Sequence, residues 1–135
     1  MYFSCAVNDL FIMLYFLYMT KYSQSVYYFS FYLLLSGALF FIFPNQVLAI
    51  LGIQTTTEPW IHLLGILTFI LGLFFFYMGR NNSREFAYIS LFGRVLFILG
   101  VISVVILYNA PVSLLLFGVI DLFGFLWTLS EYLKA

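Results

Sequence analysis

Arg94 and Asp121 are charged residues set inside apolar runs. Residues 91–100 read Leu-Phe-Gly-Arg-Val-Leu-Phe-Ile-Leu-Gly, and residues 118–124 read Gly-Val-Ile-Asp-Leu-Phe-Gly. Each run belongs to a segment long enough to cross a bilayer, which takes roughly 20 apolar residues. A lone charge at mid-membrane costs roughly 2.5–3.5 kcal/mol on insertion scales. Two opposite charges that face one another neutralise and exchange hydrogen bonds, which removes most of that cost. Arg94 lies nine residues past Glu85, and Asp121 ten before Glu131. At helical rise each is about 14–15 Å in from the same side. The spacing predicts an Arg94–Asp121 pair facing the interior of a bundle. Such a pair either locks two helices together or lines a polar pocket for a small molecule, a lipid headgroup or a proton.

His62 is the third candidate binding residue. It sits one turn into another apolar run, beside Trp60. It reads either as an interfacial histidine satisfied by water and headgroups or as a proton-handling group. Asn45 and Gln46 read as partners for the backbone broken near Pro44, and Thr68 as bonded to its own helix. Cys5 reads as inert. A single cysteine excludes an internal disulfide, and one His with one Cys makes no usual zinc site. No nucleophile–base pair, metal cluster or phosphate loop stands out. The expectation is therefore no catalytic set, no metal and no cofactor.

These residues need a scaffold, and composition says which kind. Of 135 residues, 65% are hydrophobic, 23% aromatic and 7% charged, with a mean hydropathy of +1.12. A soluble domain has about a quarter of its residues charged. The class is all-α: an integral membrane four-helix bundle. Net charge is zero and there is no basic block, so nucleic acid is not a partner. The lipid bilayer is one, and a second copy or another membrane protein is compatible with the chain.

Two parts follow. Residues 1–24 hold an apolar segment too short to cross. It reads either as a helix lying in the interface, with Tyr15, Tyr18 and Tyr22 at headgroup depth, or as a segment outside the native protein. It lacks the basic start and small-residue cleavage site of a signal peptide. Residues 25–135 hold four spans, at about 26–43, 60–78, 86–108 and 112–133. Pro44 ends the first span, and residues 46–51 form a short interfacial or re-entrant helix closed by Gly52. Residues 55–59, Thr-Thr-Thr-Glu-Pro, read as a helix start with a threonine cap.

Lys21, Arg80, Arg84 and Lys134 all fall on one side of this threading, whereas segments 44–59 and 109–111 carry no Lys or Arg. The positive-inside rule then predicts that both termini and the 80–85 loop face the cytoplasm. Residues 63–72 match 91–100 at six positions, which reads as a duplication or as chance among apolar letters. Gly65, Gly72 and Gly79 recur every seven residues, as do Gly93 and Gly100, so both runs offer a small-residue face where backbones can approach.

Gly37, Pro44, residues 48–52, Gly65, Arg80, Arg94 and Asp121 form an outline that resembles small bacterial four-helix membrane proteins of unknown function, broadly DoxX-like, over residues 33–133. The resemblance implies the bundle and a bacterial inner membrane, and no activity. Three functional readings follow. The leading one is a non-enzymatic accessory or interaction scaffold, in which the charge pair is dry and packed. The second is a binder or transporter of a small molecule or lipid, with a cavity at the pair. The third is an enzyme on a lipid or quinone-like substrate, which needs a cavity reaching both His62 and Asp121.

Overall fold

The computed structural model describes residues 2–135, with side chains from residue 6 onward. The expectation for Cys5 thus concerns a side chain outside the described residues. Among them the chain forms six α-helices: α1 (Tyr2–Tyr18), α2 (Lys21–Ile42), α3 (Pro44–Ile50), α4 (Trp60–Arg80), α5 (Arg84–Leu107) and α6 (Leu115–Lys134), the last preceded by a 3-10 turn at Val112–Leu114. Helices α2, α4 and α5, and the segment Val112–Lys134, are long and apolar enough to cross a membrane. This is a four-span membrane protein with a short apolar helix before the spans and another after the first.

The breaks between helices have local causes. Phe43, at φ −127° and ψ 51°, leaves the helical region, and Pro44 starts α3 where its missing N–H is not needed. Helix α3 ends in a paired closure: Gly52 N–H donates to Ala49 O and Ile53 N–H to Leu48 O, with Gly52 at φ 68°. Helix α4 ends the same way with Asn82 at φ 54° in the glycine's place, Ser83 N–H reaching Met78 O. Ser83 then caps α5, its hydroxyl accepting from Phe86 N–H at 3.2 Å.

Two local features differ from the reading above. Pro59 occupies the N-cap of α4 without a side-chain bond, and Thr56 instead accepts from Glu58 N–H before the helix begins. Proline just ahead of Trp60 sets the first turn through its fixed φ, so no hydroxyl is required there. Asn45 does not satisfy the break at Pro44; its Oδ1 accepts from Thr56 N–H at 3.0 Å and ties α3 to the following loop.

Helix α1 leans on the polar turn between α4 and α5. The Tyr15 hydroxyl donates to Arg80 O at 3.1 Å, and the Arg80 guanidinium lies 5.0 Å from the Tyr15 ring. Asn82 accepts from Thr20 N–H at 2.9 Å and donates to Tyr18 O, so one side chain holds the α1–α2 junction.

The spans pack unequally. Helix α2 lies along α4 over most of its length, α5 pairs with α6, and α2 also meets α6. Glycines make the α2–α4 contact: a Cβ on Gly37 would strike the Phe69 backbone, one on Gly72 would come within 2.9 Å of Leu34 N, and one on Gly79 within 2.7 Å of Tyr27 N. Backbones this close gain dispersion contact that larger residues would forbid. The faces of Gly65, Gly72 and Gly79 thus behave as expected. Those of Gly93 and Gly100 do not, since a Cβ at either meets nothing within 4 Å. The matching glycines of the two runs are therefore not equivalent in the fold.

Helices α4 and α5 meet at Phe75 and Phe86, whose rings are 5.0 Å apart, and share no extended face beyond that point. The core follows. Tyr22, Val26, Phe29, Leu33, Phe75 and Ala87 cluster at the end bearing Arg80 and Arg84. There Ser25 and Thr128 hydroxyls bridge α2 and α6 at 2.8 Å. Along α5 the buried residues are Ala87, Ser90, Leu91 and Arg94, and none follows Arg94. Beyond Arg94 a hollow opens between α5 and the packed α2–α4 pair.

Candidate functional site

The hollow is a cavity of about 950 Å³. Leu64, Thr68 and Leu71 of α4 face it from one side; Gly93, Phe97 and Gly100 of α5 face it from the other. At its far end lie Leu48 of α3, Ile53, Trp60 at the start of α4, and Leu114 of the 3-10 turn. Its deep end carries Tyr32, Ser36, Ser90, Arg94 and Asp121.

Arg94 is 2% exposed, and none of its three side-chain nitrogens has a hydrogen-bond partner. Its guanidinium carbon lies 3.8 Å from the Phe29 ring centre and 5.6 Å from that of Phe75. A cation over desolvated aromatic faces gains about 2 kcal/mol. Beside both groups is Gly124, where a Cβ would collide with Nη1, come within 3.0 Å of the Phe29 ring and reach 3.2 Å from Cζ. Gly124 is what leaves room for the guanidinium.

Asp121 is 7% exposed and lies three residues before Gly124, one turn away on the same helix. The expected direct Arg94–Asp121 ion pair is not made: among the described residues the salt bridge is Lys134–Glu131, at 3.1 Å. The reason is local. Gly124 leaves room for the guanidinium over the Phe29 ring, so the two charges share a cavity end without a hydrogen bond.

No family model, no curated protein and no solved structure matches this chain. The site's own geometry therefore carries the functional argument.

His62 is not brought to the other two. It is exposed, its Nδ1 lies 2.7 Å from Phe41 O, and its ring packs edge-on against Phe41, while its neighbours Trp60 and Ile61 line the cavity. Thr68 does bond its own helix, donating to Leu64 O at 2.9 Å. Among the described residues no three His, Cys, Asp or Glu side chains converge as metal ligands would.

Sequence reasoning missed the partners of Arg94: Phe29, Phe75 and Gly124. A signal for the last was present. Gly118 and Gly124 flank Asp121 at three residues on either side, so the acidic face of α6 is also its small face.

Proposed function

We propose that this membrane protein binds a lipid-like small molecule in the cavity between α4 and α5. The carrying observation is the hollow itself, bounded by apolar walls and ending on two buried, oppositely charged residues. Binding pockets for small molecules run about 300–1,000 Å³, mostly apolar with a few placed polar groups. The scaffold reading needs a packed interior on both sides of Arg94 and Asp121, and burial along α5 ends at Arg94. The enzyme reading needs a second acid or base near Asp121, and His62 lies elsewhere.

The proposal includes an orientation. Lys21, Arg80, Arg84 and Lys134 support placing both ends and the α4–α5 turn on the cytoplasmic side. A bacterial inner membrane and a DoxX-like origin rest on the outline of Gly37, Pro44, Gly65, Arg80, Arg94 and Asp121.

Native mass spectrometry of gently extracted protein tests the binding. Wild type is compared with a Gly93→Leu/Gly100→Leu variant, whose new side chains enter open space rather than a packed contact. A bound apolar molecule retained by wild type and lost in the variant supports the proposal. Equal retention, or bare protein in both, overturns it.

A further inference from the structure

An arginine at the end of an apolar cavity invites the reading of an anionic ligand. The hydrogen-bonding inventory points the other way. Ser36 Oγ donates to Tyr32 O at 2.5 Å, Thr68 Oγ1 to Leu64 O at 2.9 Å, and Ser90 Oγ to Ala87 O at 2.8 Å. A carbonyl only accepts, so each of these hydroxyls spends its proton on its own helix and has only lone pairs left to offer. Asp121 adds carboxylate oxygens. Arg94 is the strongest donor nearby, but its nitrogens are buried against Phe29 and Gly124. Tyr32 is the one lining hydroxyl at that end that both donates and accepts. The deep end therefore offers acceptors and is short of donors.

Charge and depth narrow the occupant further. Arg94 and Asp121 bring no net charge, so an anionic head would add an uncompensated charge beside Asp121 in a low-dielectric interior. Arg94 is ten residues from the start of α5, which puts the polar end about 15 Å into the bundle. A phospholipid keeps its charged head at the membrane surface and would bring hydrocarbon to Asp121. A small neutral head meets Asp121 at that depth while its chain lies along Leu64, Leu71 and Phe97.

On the binding reading above, we propose that the ligand is a neutral single-chain amphiphile with a hydroxyl head, which donates to Asp121 and lays its chain along the α4–α5 gap. The test is native mass spectrometry of delipidated protein in detergent, loaded with hexadecanol or with hexadecanoate at matched micellar fractions. Wild type retains hexadecanol in preference to hexadecanoate by about tenfold, the ratio set by one well-placed polar interaction. Asp121→Asn leaves Arg94 uncancelled, and the preference moves toward hexadecanoate. Tyr32→Phe, which keeps the ring and removes the donor that an acceptor-only carboxylate would need, leaves hexadecanol retained and widens its preference over hexadecanoate; it serves if Asp121→Asn does not fold. Hexadecanoate retained as well as or better than hexadecanol by wild type overturns the hydroxyl assignment and leaves lipid binding standing. Retention of neither overturns both.

Discussion

The guanidinium of Arg94 is held by neighbours that carry no charge. Phe29 lies against it and Gly124 leaves room beside both. Gly124→Ala places a methyl where Nη1 now sits. The expected loss is about 1–3 kcal/mol, the usual cost of overpacking a tight site. Gly118→Ala, whose Cβ would come no nearer than 3.8 Å to Val101, is the matched control and leaves stability unchanged or raised. Thermal unfolding in detergent reads both; equal effects would remove Gly124 from this account. Phe29→Leu removes the ring face and costs at least about 1 kcal/mol by the same measurement. The two charges were legible because an ionised residue in an apolar run is conspicuous against its background. Their separation was not, because it depends on an aromatic ring of α2 that no spacing within α5 or α6 encodes.

At the scale of elements, two sets of glycines at the same spacing do opposite things. Gly65 and Gly72 bring α4 onto α2; Gly93 and Gly100 stand open beside the cavity. Gly65→Ala is expected to lose about 1–3 kcal/mol, because the new methyl meets the backbone of Phe41 and Gly37. Gly100→Ala is expected to be neutral or to gain about 0.5–1 kcal/mol from helix propensity. Chemical unfolding of the pair decides; a large loss in Gly100→Ala would mean that α5 is packed there. Asn82→Ala removes the side chain that holds Thr20 and Tyr18, so hydrogen exchange across α1 should quicken while that of α2 and α4 stays unchanged. Helix number and the breaks at Pro44 and Gly52 were legible, since each depends on a local backbone rule. Which glycine face finds a partner was not, because a seven-residue spacing marks a face and does not say what lies across from it.

The whole molecule is a bundle in which α4 stays on α2 and parts from α5 beyond Phe75 and Phe86. Hydropathy revealed four spans, because the bilayer imposes length and polarity on each separately. It could not reveal that α4 packs on α2 and leaves α5, since lipid-facing and cavity-facing side chains are equally apolar. If the gap is a binding site, occupancy stabilises the fold by mass action. Hexadecanol should then raise the melting temperature of wild type and leave that of Gly93→Leu/Gly100→Leu unmoved. The most direct measurement is photolabelling in a bilayer with a diazirine-bearing analogue of hexadecanol, with the labelled residues mapped by mass spectrometry. Label concentrated on the facing walls, at Leu64, Thr68, Leu71, Gly93, Phe97, Gly100 and Val101, is the result this account predicts. Label spread equally over outward residues such as Leu63, Leu67, Leu99 and Ile106 would show that the hollow holds nothing the surrounding lipid does not.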